Sequence, residues 1–281
     1  MLVDALALLG GDLSGRQTAL ETAFRLPYAL DRANSHIERV RSLPSSLHLT
    51  MRQHFSLARL PAPPAVPSPA PGPNLPTAVP DARSLFLSQT YTLAQLPAQP
   101  MKTRAADPRV GYFMQSYQDF GDDTQLGRHS HILHRWRLEK KDSSAALSEP
   151  KEPIRVVLDR NIPERWRAPL REAALEWNTA FEKAGFRNAI TVEQQADDAE
   201  GTTLEAARVL AVRWFAQQGA GSVAIGPHQS DPRTGEILRG AALIDENRVR
   251  VFRTRAAEGV PRWADHAQPR TPASFAQPFA E

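Results

Sequence analysis

The sequence predicts a mixed α+β protein, with a β-rich N-terminal region followed by a strand–helix–strand unit and further strands. Three observations carry this. Apolar and polar residues alternate over Ser46–Phe55 and Ile154–Leu158, the period of strands with one buried face, and Ser84–Leu93 also has strand character. Between Pro163 and Gly185 apolar residues recur at three- and four-residue steps, the period of an amphipathic helix. Nine prolines, at 61, 63, 64, 67, 69, 71, 73, 76 and 80, stand in one stretch that can neither pair as a strand nor continue a helix. The expected organisation is a β-rich region over 1–151 with a Pro-rich spacer at 61–80, an α/β subdomain over 152–253, and a disordered tail over 254–281.

Taken in order, Leu2, Ala5, Leu6 and Leu9 predict a short amphipathic helix, and Asp12–Gly15 a turn. Gln17–Arg25 predicts a helix that ends before Pro27. Residues 34–41 fit a strand or a short helix equally. In Ser46–Phe55, Leu47, Leu49 and Met51 share one face, and His48 and His54 lie on the other, where they read as solvent-facing rather than as metal ligands. A turn at Asp107–Pro108 runs into an aromatic strand. Asp119, Asp122 and Asp123 lack the odd-position spacing of a calcium loop and read as a solvated acidic turn. His129, His131 and His134 form the one histidine cluster. On a strand His134 turns away from the other two, and on a helix His131 and His134 would share a face. Neither gives three convergent ligands, so zinc is the weaker reading there.

Glu152–Gln194 reads as a βαβ unit with parallel strands and a right-handed connection. Asn161 is the expected cap and Pro163 the first helical residue. Leu170, Ala173, Ala174, Trp177, Phe181 and Ala184 are expected on one helix face, with Gly185 as a left-handed stop. Asp197–Gly201 is a polar turn, Leu210–Ala216 a strand, Gly219–Gly221 a turn and Ser222–Pro227 a strand. Asp231–Glu236 follows as a turn, then Ile237–Ile244 as the last strand.

The balance of 41% hydrophobic and 23% charged residues in a chain of 281 is that of a globular class. Net charge is +3 without a dense basic run, which argues against a nucleic-acid partner. The absence of cysteine excludes disulfides, thiolate metal sites and a cysteine nucleophile. No apolar run reaches the length of a membrane span. Asp4 interrupts the first apolar stretch and no basic segment precedes it, so the N-terminus does not read as a signal peptide.

Asp107–Phe113, Arg135–Asp142, Leu158–Pro163, Glu176–Phe186 and Asp231–Leu238, in this order, resemble the bacterial zinc-dependent metalloproteases with an EcxA-like, metzincin-type catalytic domain. The resemblance implies a catalytic subdomain beginning near Glu152. It implies an edge strand at Ser222–Pro227 that pairs with a peptide or protein substrate, so that Val223, Ala224, Ile225 and Gly226 would contact it, and a return strand at Gly240–Ile244. It also implies a periplasmic or secreted location, and a helix carrying His-Glu-x-x-His-x-x-Gly-x-x-His with zinc as cofactor. None of the eight histidines, at 36, 48, 54, 129, 131, 134, 228 and 266, begins such a motif. The chain therefore resembles an upstream fragment of that family, expected to bind no zinc and to be inactive. The alternative is a non-catalytic peptide-binding or structural module that uses the edge strand. Without the zinc helix, the sheet face at Val212, Trp214, Val223 and Ile225 is expected to lie bare.

Overall fold

The computed structural model describes residues 2–62, 72–121, 124, 127, 129–197, 204–216 and 224–264, the last helix by its backbone alone beyond 257. The chain divides into two compact units, Met1–Gln95 and Leu96–Glu281.

The first unit carries two short helices and one antiparallel sheet. Helix α1 (Ala5–Leu9) starts where the Asp4 carboxylate accepts hydrogen bonds from the Leu6 and Ala7 N–H groups. Helix α2 (Arg16–Phe24) ends at Arg25, whose φ of 54° is left-handed. Strands β1 (Ala29–Leu43), β2 (Ser46–Ser56) and β3 (Ser84–Ala94) follow in the order β1-β2-β3. The ambiguous segment 34–41 is strand, because β2 offers it an antiparallel partner from Asp31↔His54 to Leu43↔Ser46, with register shifts between Asp31 and His36 and between Ile37 and Arg39. Leu49 and Met51 are buried with Leu9, and Phe55 with Leu20, Leu26, Tyr28, Leu57 and Leu85.

The histidine face of β2 is not solvent-facing as expected. His48 is buried, its ring held between Ser46 Oγ at 3.0 Å and Thr92 Oγ1 at 2.9 Å. His54 lies between Asp31 Oδ2 and Ser84 Oγ and stacks on Phe86 with ring centroids 4.5 Å apart. Polar side chains of β2 itself and of the flanking strands satisfy these rings, which offsets the cost of taking them out of water. Of the Pro-rich stretch, residues 63–71 lie outside the described residues.

The second unit opens with the hairpin β4 (Met114–Gln118) and β5 (His129–Leu133). Its main sheet joins β6 (Ile154–Leu158), β7 (Ile190–Gln194), β8 (Val209–Phe215), β9 (Ala224–Ile225), β10 (His228–Ser230) and β11 (Ile237–Asp245). The order is β10-β11-β8-β6-β7, with β9 also on β11. β7, β6, β8 and β11 run parallel, and β9 and β10 run antiparallel to β11. Helix α3 (Glu164–Lys183) makes the crossover from β6 to β7. It packs Trp166, Leu170, Ala174 and Phe181 over Ile154, Val156, Leu158 and Val212.

Several local expectations change here. Val212 is buried, and Trp214 stacks on Trp166 with centroids 6.3 Å apart, so α3 covers the β8 part of the face expected to lie bare. Ile225 remains exposed, and Val223 lies outside the described residues. On α3, Ala173 and Trp177 are exposed, so the apolar stripe is narrower than its periodicity suggested. Pro163, with ψ 139°, stands just outside the helix as its cap position, and Asn161 does not cap it. The Asn161 N–H is instead taken by the Asp159 carboxylate at 2.9 Å. Gly185 is left-handed as expected, with φ 87°, and a Cβ there would meet the Ala146 carbonyl at 2.8 Å.

The division between units falls after Gln95 rather than at 151, because 96–151 is fastened to the sheet. Arg135 pairs with Glu236 through a parallel bridge, and the Arg137 guanidinium meets the Glu236 carboxylate at 2.6 Å. The tail expected from 254 onward is helical as far as Ala264, as part of α4 (Glu246–Ala264), which begins with an i,i+4 pair between Glu246 and Arg250. Residues 265–281 lie outside the described residues, as do 198–203 and 217–223, which hold most of the turns expected at 197–201 and 219–221. No described helix is long and apolar enough to cross a membrane.

Candidate functional site

The outer edge of the main sheet is built from two short antiparallel pieces. Ala224 and Ile225 face Ile244 and Leu243, and His228, Gln229 and Ser230 face Gly240, Arg239 and Ile237. The Asp231–Glu236 turn returns the chain from β10 to β11. The carbonyl of Asp231 accepts from the Thr234 and Gly235 N–H groups, and its buried carboxylate accepts from the backbone and guanidinium of Arg233. That guanidinium holds the Asp231 carboxyl below the usual aspartate range. Gly235 has φ 72°, and a Cβ there would collide with the Leu133 carbonyl, so glycine is required. Glu236 is buried and neutralised by Arg137.

Beside this edge lies a cleft of about 770 Å³. Phe113, Trp136, Leu138, Trp177 and Phe181 supply its apolar surface, and Gly226 and Pro227 of the edge also line it. Gly240 lines it as well, and a Cβ there would approach Leu210 Cδ1 to 3.2 Å. No aspartate or glutamate is among the described residues that line it.

Two histidines also line the cleft. His134 Nδ1 and His228 Nε2 are hydrogen-bonded at 2.7 Å, with ring centroids 4.8 Å apart and planes at 79°. Ser230 Oγ lies 3.4 Å from His134 Nε2, and the Phe113 ring centroid 5.4 Å from that of His228. Burial pulls the proton affinity of His134 below the ordinary histidine value, and the neighbouring His228 adds to this.

The three histidines weighed as zinc ligands do not converge. His129 and His131 stack at 6.4 Å, and His131 Nδ1 meets Ser116 Oγ at 2.6 Å within the hairpin. His134 turns away to His228. Among the described residues no group of three or more His, Asp or Glu side chains could hold a metal ion. Of the four residues expected to contact substrate, Ala224 and Ile225 lie on the exposed edge strand, Gly226 lines the cleft, and Val223 lies outside the described residues. The sequence reading missed His228 and the aromatic lining. His228 stands 94 positions from His134, and no periodicity links them.

A family model described as a domain of unknown function, DUF5117, matches residues 1–141. That is half of the chain. The chain belongs to the DUF5117 family. The family match takes in the whole first unit together with β4, β5 and His134, and it stops before β6, so the main sheet and more than half of the cleft lining lie beyond it. No curated protein and no solved structure matches the chain.

Proposed function

We propose that the chain is the peptide-engaging part of a zinc-dependent peptidase, and that on its own it binds extended peptide segments without cleaving them. The observation that carries this is the antiparallel edge, exposed at Ala224–Ile225 and half-buried at His228–Ser230, beside an aromatic cleft. An extended peptide gains main-chain hydrogen bonds along such an edge, and a neighbouring pocket selects its side chains.

The five segments that resemble the metalloprotease family support the peptidase origin. Leu158–Pro163 and Glu176–Phe186 belong to the covered βαβ unit, and Asp231–Leu238 shapes the hairpin that forms the edge. In such enzymes zinc polarises the scissile carbonyl and activates water. The sequence lacks the ligand motif, and the described histidines do not form a three-ligand set. Binding without hydrolysis is therefore the activity assigned to this chain.

The test is fluorescence anisotropy with labelled extended peptides, with and without chelator, alongside metal analysis and a cleavage assay. The reading expects saturable binding unchanged by chelator, no stoichiometric zinc and no cleavage. Stoichiometric zinc with peptide hydrolysis would overturn the non-catalytic part, and absence of binding to any extended peptide would overturn the whole.

A further inference from the structure

The hydrogen bond between His134 and His228 joins two separate segments. His134 follows the last residue of β5, and its N–H donates to the Phe113 carbonyl at 2.8 Å. His228 is the first residue of β10 and is paired with Gly240. Both rings line the cleft. Two imidazole nitrogens 2.7 Å apart hold one proton between them: one N–H donates and the other nitrogen accepts through its lone pair. If both rings are imidazolium, each presents an N–H to the other and the bond cannot exist.

Little around the pair would compensate a second positive charge. The Arg135 guanidinium, next in the chain, donates to the Lys102 carbonyl, and Glu236 is engaged by Arg137. Arg239 of β11 donates to the Glu205 carbonyl. The hydroxyl of Ser230, the phenol of Tyr112 and the rings of Phe113, Trp177 and Phe181 are uncharged at neutral pH. The backbone pairing of β10 with β11 does not titrate.

We infer that the His134–His228 pair is an acid-operated latch on the cleft, closed while the rings share one proton and released when both are protonated. Release frees the β10 edge from the end of the hairpin while its pairing with β11 persists. The lowered proton affinity of His134 places its protonation on the acid side of the ordinary histidine value. The consequence for ligand rests on the peptide-binding reading: peptide held by the closed cleft is released in acid.

The latch can be measured without peptide. Half-buried Trp136 lines the cleft, so acrylamide quenching of its fluorescence reports opening. In the full chain quenching should rise in one titration step between roughly pH 7 and pH 5, and ring-nitrogen NMR should show His134 protonating in the same step. Variants His134→Gln and His228→Gln, each shown to be folded by circular dichroism, should lack the step. Flat quenching in the wild type, or a step that persists in both variants, would overturn the latch. Peptide anisotropy over the same range separates the two readings. A quenching step with no peptide bound at any pH sinks the peptide reading and leaves the latch, and peptide binding with no step sinks the latch alone.

Discussion

Asn178 of α3 holds the backbone of Ile190 with both ends of its side-chain amide: Oδ1 accepts the Ile190 N–H at 2.9 Å, and Nδ2 donates to the Ile190 carbonyl at 3.0 Å. Ile190 begins β7, so this one side chain ties the crossover helix to the strand it leads into. Replacing it by alanine leaves two backbone groups of a buried residue without that partner. Asn178→Ala should lower unfolding free energy by about 1–3 kcal/mol. Asn178→Asp retains an acceptor and loses the donor, so it should recover part of the difference. Urea denaturation followed by tryptophan fluorescence reads both, and equal stability of Asn178→Ala and wild type would show the clamp to be idle.

The Arg137–Glu236 pair fastens the segment after β5 to the start of β11, with the carboxylate almost wholly out of solvent. Removing only the arginine strands a buried charge, although Arg208 at 3.8 Å partly compensates it. Arg137→Met should cost about 3 kcal/mol, and the double variant Arg137→Met/Glu236→Met should be more stable than that single variant. Calorimetric melting of wild type and the two variants decides it, and a double variant less stable than Arg137→Met would show that Glu236 is not stranded without Arg137.

Acid should weaken the second unit in two windows of different origin. His134 has a folded-state proton affinity below its unfolded value, so the unfolded chain takes up the proton first. Stability is then full above the ordinary histidine pKa and falls as pH drops below it toward the folded value. Asp231, held down chiefly by its hydrogen bond to Arg233, contributes stability present above the ordinary aspartate pKa and lost as pH falls through its folded value. Stability against pH should therefore show a decline on the acid side of neutrality and a second below the ordinary aspartate value. Asp107, Glu139, Asp142, Glu149 and Glu193 are also held below their ordinary range, so Arg233→Gln should reduce the second decline and leave the first, and an unchanged profile in that variant would contradict the assignment.

Peptide binding should be separable from stability at two exposed positions. Ile225 is 51% exposed on the edge strand and Trp177 is 64% exposed beside the cleft. Ile225→Lys places a charge where an added strand would pair, and Trp177→Ala removes an apolar wall of the cleft. Each should weaken peptide about tenfold, or ~1.4 kcal/mol, while surface position keeps the change in stability within about 0.5 kcal/mol. Anisotropy and thermal melting on the same samples make the comparison, and a loss of affinity matched by a loss of fold would count against the site.

What the sequence determined by itself was local. Pro163, the three- and four-residue spacing through Phe181, and Gly185 set out one helix between two strands, because backbone restriction and side-chain period act within a few residues of their cause. The Asp231–Glu236 turn was legible for the same reason: an aspartate, a proline and a glycine at those offsets satisfy the backbone of one turn. Periodicity states which residues share a face and says nothing of what comes to cover that face. Hence the tertiary structure decided that Trp214 lies against Trp166, that His48 is buried among strand hydroxyls, and that 34–41 is strand. It alone brought His134 to His228 beside the cleft, since contacts between residues 94 positions apart are set by packing of the whole sheet and leave no mark in the local sequence.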